Sequence, residues 1–201
     1  MKIECITHGP LGTNTYIIYN EESCLIIDPE IKAIDCINKV KELNVKVEGI
    51  LLTHGHFDHV GAANELAKFF DTKIYASQKE KELLANCDMN LSTIMRKSIV
   101  IEDYEVVNIG MNRIGDFTFE MIETPGHTSG SVCFLFENYL FAGDTLFYES
   151  YGRYDFPTGS FRDLRNSIEK LLKLPDDVIV YPGHGMQTSI EHEKKYNAII
   201  I

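Results

Sequence analysis

No apolar run in this sequence approaches the roughly 20 residues that a helix needs to span a bilayer, which excludes a helical membrane anchor. The opening MKIECITHGPLG carries none of the charged head, apolar stretch and small-residue cleavage site of a signal peptide. Cysteine is sparse and odd in number: the five stand at positions 5, 24, 36, 87 and 133, with no C-x-x-C spacing. That favours reduced, buried thiols in a cytoplasmic protein over a disulfide framework. Positive charge is also short, with 19 basic against 30 acidic side chains and a formal net charge of −11. Such a balance repels polyphosphate and argues against a nucleic-acid partner; a membrane partner is not expected either. Linkers, low-complexity tracts and repeats are missing. The chain therefore reads as one domain over residues 1–201, with 44% hydrophobic content to fill one sizeable core.

The apolar patterning that is present alternates between strand and helix. TYIIY (15–19) and CLIID (24–28), with the first residues, predict an N-terminal antiparallel meander. Ile31, Ile34, Ile37, Val40 and Leu43 recur every three residues and predict a helix over 31–43. VEGILLT (47–53) reads as a buried strand, VGAANELAKFF (60–70) as a helix and KIYA (73–76) as a strand. SQKEKELLANC (77–87) reads as a helix capped by Ser77. Residues 88–103 carry no clear pattern, and their role stays open. Strands return at YEVVNI, FTFEMIET, SVCFLF, NYLFAGD and DVIVYPG (177–183). Helices are expected at SFRDLRNSIEKLLKL (160–174), between Ser160 and Pro175, and at SIEHEKKYNAI. This order suggests two βα halves packed sheet on sheet, with helices outside.

Polar residues with metal-ligand chemistry gather where the apolar runs stop. ILLTHGH, FEMIETPGH, YLFAGD and VIVYPGH each deliver a His or Asp just past their last β-branched or aromatic position. Five of the seven histidines fall at these strand ends. His56, His127 and His184 each follow a glycine, which lets a tight turn aim the next side chain inward. Strand ends on a common edge converge in space, and loops there carry chemistry. The converging set is His54, His56, Asp58, His59, His127, Asp144 and His184. His54, His56 and His127 with a water can complete a tetrahedral catalytic zinc site. Asp58, His59 and His184 can hold a second ion, with Asp144 bridging the two. Such a set leaves positions open for a shared water or hydroxide. His8 and His192 lie outside the pattern and are expected at the surface.

T-H-x-H-x-D-H at 53–59, followed by G-H, G-D-T and P-G-H-G, resembles the metallo-β-lactamase fold superfamily. HGHFDHVGA, ETPGHTSGSV, FAGDTLF and YPGHGMQTSIEHE are similar to its single-domain bacterial glyoxalase II-like hydrolases, and the resemblance runs nearly from end to end. It implies an α/β fold of the αββα sandwich type. Two mixed β-sheets would pack face to face with helices on the outer faces and the metal site at one edge. It also implies two divalent metal ions, Zn2+ first, with Fe or Mn possible at either site.

The implied reaction is cleavage of a thioester, an S-acyl thiol such as a hydroxyacyl-thiol, by a metal-bridging hydroxide. Asp58 would bind metal, orient the nucleophile and pass protons. A thiolate leaves without a strong general acid. Asp144 stands where some β-lactamases place a cysteine ligand, which disfavours antibiotic hydrolysis. Only a short stretch follows His184, with no counterpart to the helical domain by which full-length glyoxalase II grips glutathione, so acyl group and thiol stay open. YGRYDFPTGS (151–160) resembles the G-R-x-D-F stretch of glyoxalase II-like proteins and persulfide dioxygenases. Arg153 would either pair with a substrate carboxylate or salt-bridge Asp155 or Asp163 and shape the loop. Tyr148, Tyr151 and Tyr154 would form pocket wall. The alternatives are a mononuclear iron persulfide dioxygenase-like oxidoreductase and a lactonase of the same fold. Oligomeric state and native metal stay open.

Overall fold

The computed structural model describes residues 1–9, 11–30 and 32–200. The expected meander forms as β1 (Lys2–His8), β2 (Thr13–Tyr19) and β3 (Ser23–Ile27), each antiparallel to the next. The chain then crosses through helix α1 (Ala33–Leu43) to β4 (Lys46–Leu51). The one-turn α2 (Phe57–Val60) and α3 (Ala63–Phe70) lead to β5 (Ile74–Ser77). A 3-10 turn and the short α4 (Lys81–Leu84) lead towards β6 (Glu105–Val107). Strands β3 to β6 run parallel, so one mixed six-stranded sheet has the order β1-β2-β3-β4-β5-β6.

The second half begins with the antiparallel run β7 (Gly110–Ile114), β8 (Phe117–Glu123), β9 (Val132–Phe136) and β10 (Tyr139–Gly143). A small ribbon, β11 (Leu146–Phe147) with β12 (Ser150–Tyr151), precedes helix α5 (Phe161–Leu171). Strand β13 (Ile179–Pro182) pairs parallel to β10, β14 (Thr188–Ser189) pairs antiparallel to β13, and α6 (Ile190–Tyr196) follows. The second sheet has the order β14-β13-β10-β9-β8-β7.

Strand alternation sorts the apolar residues into layers. Ile18, Leu25, Ile27 and Leu51 point from the first sheet onto Phe119, Phe134, Phe136 and Phe141 of the second, forming the central core. Their neighbours Ile17, Cys24, Ile26 and Ile50 point outward beneath Ala33, Cys36, Ile37 and Val40 of α1 and Leu66 of α3. On the opposite outer face, Cys133, Leu140, Ala142 and Val180 pack under Leu164, Ile168 and Leu171 of α5. Both sheets are thus buried on both faces, the αββα arrangement expected from the sequence. Full burial of each such Ile, Leu or Phe side chain contributes about 1.5–3 kcal/mol.

Several local expectations need correction. Spacing by three drifts about 60° per step on a helix of 3.6 residues per turn, so five such positions cannot share one face. Ile34 is accordingly 58% exposed, and α1 buries Ala33 and Cys36 alongside the expected Ile37 and Val40. Ile31 and the side chain of His8 lie outside the described residues. The helix expected over 77–87 is a 3-10 turn, with Ser77 Oγ accepting from Lys79 N–H, followed by the single turn α4. The helix expected over 60–70 is divided into α2 and α3 at Gly61 and Ala62. Among the described residues, no helix is long and apolar enough to cross a membrane.

Candidate metal centre

The ends of β4, β8, β10 and β13 open towards a common edge, where the polar residues that follow them meet. His54 and His56 stand in the loop after β4, and Asp58 and His59 lie on α2. His127 is in the β8–β9 connection, Asp144 follows β10, and His184 is in the turn after β13. Among the described residues the side-chain ligand atoms form one overlapping set, Asp28, His54 and His59, and two further groups that could each hold a cation: His54, His56 and His127, and Asp58, His59 and His184. Asp144 touches both. Its Oδ2 lies 3.5 Å from His127 Nε2 and 3.4 Å from His184 Nε2, and its Oδ1 lies 3.3 Å from His59 Nε2. All seven residues singled out from the strand ends converge.

The outer nitrogens of three histidines are already engaged. His127 Nδ1 meets the Arg153 carbonyl at 2.7 Å, and His184 Nδ1 meets the Leu11 carbonyl at 3.1 Å. His59 Nδ1 meets Asp28 Oδ2 at 3.0 Å. These acceptors take the Nδ1–H and leave each Nε2 facing the centre, as orienting groups around metal-bound histidines do. His54 Nε2 is buried with no hydrogen-bond partner, and Asp144 Oδ1 has only its 3.3 Å approach to His59 Nε2. Buried polar atoms are rarely left so. Imidazole and carboxylate donors with unpaired inner atoms fit zinc, iron or manganese.

Electrostatics divides the two groups. Burial, reinforced by the neighbouring imidazoles, holds His54 well below its ordinary value and brings His56 down to about 3. Burial also lowers His127. These three rings are neutral, with lone pairs available to a cation. The second group behaves oppositely. Burial alone would neutralise Asp58, but His59 and His184 outweigh it and bring the carboxyl to about 2. Asp144 is held well below the usual carboxylate range, because His59 and His184 outweigh burial there too. Burial also opposes protonation of His184, yet the carboxylates of Asp144 and Asp58 raise it to about 9. His59 likewise sits well above its ordinary value, since Asp144 and Asp58 outweigh its burial.

The glycines serve close approach more than unusual backbone angles. Of the three glycines that precede His56, His127 and His184, only Gly126 has positive φ, at 140°, and a Cβ there would strike the backbone of Leu164 on α5. A Cβ on Gly183 would strike Asp144 Oδ1, and one on Gly55 would lie 2.9 Å from Leu83 Cδ2.

A cavity of about 320 Å³ opens over the centre. His56, Asp58, His127, Asp144 and His184 line it alongside Leu11, Phe57, Leu91, Phe147, Tyr151 and Phe156. Leu91 gives the 88–103 segment a place, as one wall of the cavity. Of the three tyrosines expected in the wall, only Tyr151 is there: Tyr148 stacks on His192, and Tyr154 packs against Phe161. Arg153 also lines the cavity, with its guanidinium on both oxygens of Asp155 at 2.9 and 2.8 Å and over the Phe156 ring.

Asp28, Thr13 and Glu80 escaped the sequence reading of the site. Asp28 binds His59 Nδ1 and accepts from the backbone and side chain of Thr53. Its signal was available, since it closes CLIID as Asp144 closes YLFAGD. Thr13 Oγ1 donates to Asp58 Oδ2 at 2.9 Å.

A model of the metallo-beta-lactamase superfamily matches residues 8–184. The chain belongs to this superfamily. Over its whole length it is 35% identical to the probable metallo-hydrolase YqgX of Bacillus subtilis, covering 98% of that protein. It is also 35% identical to the hydroxyacylglutathione hydrolase GloC of Haemophilus influenzae, again over the whole chain and 98% of the relative. Among solved structures it resembles the BLEG-1 B3 metallo-beta-lactamase, at 36% identity and a TM-score of 0.93 over 99% of each chain. It resembles TTHA1623 in a di-iron-bound form at 32% identity and a TM-score of 0.87, covering 97% of this chain and 98% of that one. In this superfamily member, the buried His and Asp groups are consistent with a dinuclear metal site.

Proposed function

We propose that this chain is a dinuclear metal-dependent hydrolase of the glyoxalase II type that cleaves a thioester in the cytoplasm. The observation that carries the proposal is the pair of ligand groups, joined by Asp144, at the floor of a largely apolar cavity. His54, His56 and His127 would hold one ion and Asp58, His59 and His184 the other, with Asp144 shared. Two bound divalent ions supply Lewis acidity and lower the pKa of water towards 7.

The chain's own groups do the rest. Asp58, on the cavity wall, orients the attacking water and relays its proton, with Thr13 Oγ1 fixing the carboxylate. Phe57, Phe147, Tyr151 and Phe156 exclude bulk water from the acyl group. The departing thiolate has a conjugate acid of pKa near 8.5 and needs little protonation at neutral pH. Arg153 would receive an anionic substrate group by exchanging it for Asp155. The likeness to GloC supports the substrate class, and five free cysteines support a reducing compartment. A second reading, β-lactam hydrolysis, is favoured by the likeness to BLEG-1.

The test is turnover by zinc-, iron- and manganese-loaded protein of matched neutral and anionic thioesters, an oxygen-ester lactone and a β-lactam. Thioesters are expected to be the best substrates. Arg153→Ala should raise KM for the anionic thioester more than for the neutral one. A kcat/KM for the β-lactam above that of every thioester would overturn the assignment. Equal effects of Arg153→Ala on both thioesters would assign that residue to shaping the loop.

A further inference from the structure

Glu80 ends the 3-10 turn after β5, away from every ligand-bearing loop in sequence, and is 1% exposed. Its carboxylate nevertheless joins two of those loops. Oε2 accepts from the backbone N–H of Gly55, between His54 and His56, at 2.7 Å. Oε1 accepts from the backbone N–H of Gly130 at 2.9 Å and from Thr128 Oγ1 at 2.6 Å. The hydroxyl chain is consistently directed: Ser131 Oγ accepts from Thr128 N–H and donates to Thr128 Oγ1, which donates to Glu80. The surroundings are shaped to this side chain. A Cβ on Gly130 would lie 2.6 Å from Oε1, and one on Gly55 would lie 3.0 Å from Oε2. Burying a carboxylate is unfavourable unless its oxygens are well satisfied, so a position filled this way needs a purpose beyond filling space.

The purpose follows from what the two loops carry. His56 Nδ1 and His127 Nε2 come from opposite sides of the carboxylate's span and stand 2.8 Å apart. At that distance His56 Nδ1–H can donate to His127 Nε2, but when both lone pairs turn to a cation that bond is gone and the spacing of the two loops has to be held from elsewhere. We propose that Glu80 is a positioning residue that sets the separation between the His54–His56 loop and His127, and so governs cation affinity at the three-histidine site. The inference rests on the metal-dependent reading above. The other group, Asp58, His59 and His184, is oriented by Thr13, Asp28 and the Leu11 carbonyl, without Glu80.

Glu80→Gln tests it. The amide keeps shape and burial but presents an NH2 where the carboxylate accepted a hydrogen bond, so one loop is released. Zinc affinity at each site, measured by chelator competition, should fall about 10- to 100-fold at one site and stay unchanged at the other, the range seen when an orienting partner of a metal ligand is lost. Cobalt absorption should show the altered site to be the one also lost in His56→Ala. Thr128→Val removes one donor without opening a cavity, and should weaken the same site to a smaller degree. It decides the matter if Glu80→Gln does not fold. Unchanged affinity at both sites in a folded variant, even with a lowered Tm, would overturn the proposal and leave Glu80 a structural residue. A parent chain that binds no metal would instead overturn the metal-dependent reading, and the proposal with it.

Discussion

At His184, a proton and a metal ion compete for one lone pair, and the carboxylates of Asp58 and Asp144 favour either. Without metal, His184 titrates at about 9, against 6.5 in an unstrained chain. A raised value of this kind contributes stability that is complete below pH 6.5 and is lost as pH rises through 9. His56 has the opposite sign. Its folded value of about 3 lies below 6.5, so its contribution is present above pH 6.5 and is lost as pH falls through 3. Chelator-treated protein is therefore expected to be most stable near pH 6.5, with Tm falling towards both pH 9 and pH 3. His184→Ala should flatten the alkaline limb. A Tm that climbs from pH 6.5 to 9 in the metal-free parent would contradict this charge assignment.

Among the elements, the β8–β9 connection and α5 depend on each other through Gly126. Ser160 N–H donates to the Gly126 carbonyl, and Ser160 Oγ caps α5 by accepting from Asp163 N–H. Gly126→Ala meets both a positive φ and the Leu164 backbone, and is expected to cost at least about 2 kcal/mol in chemical denaturation. Metal content should fall with it, because His127 is the next residue. A variant with parental stability and full metal content would show that the connection tolerates a side chain. The sequence makes this element's chemistry legible, since β8 ends in the same His-bearing pattern as β4 and β13. It conceals β7, in which Met111 and Arg113 face solvent and only Ile114 is buried, so GMNRI has no core-facing alternation to read. Glu80 was hidden for a different reason: its partners are backbone amides 25 and 50 residues away, and a carboxylate in QKEKE resembles any solvated helical charge.

For the molecule as a whole, the sandwich brings four strand ends from two sheets to one edge, so that residues from 54 to 184 form a single centre. Asp144 is the residue on which that union depends, because among the described residues it alone lies within 3.5 Å of the inner nitrogens of His59, His127 and His184. The net charge of −11 leaves room for two divalent ions without making the chain basic. The most direct measurement is metal content per chain, by elemental analysis of protein purified without chelator, for the parent and for Asp144→Ala, with thioester turnover followed on the same samples. The expected result is about two ions in the parent, about one or fewer in the variant, and a loss of turnover on the order of 10²-fold or more. One tightly bound iron in a parent that consumes oxygen and turns over no thioester, or an Asp144→Ala variant that keeps both ions and full activity, would contradict the dinuclear hydrolase.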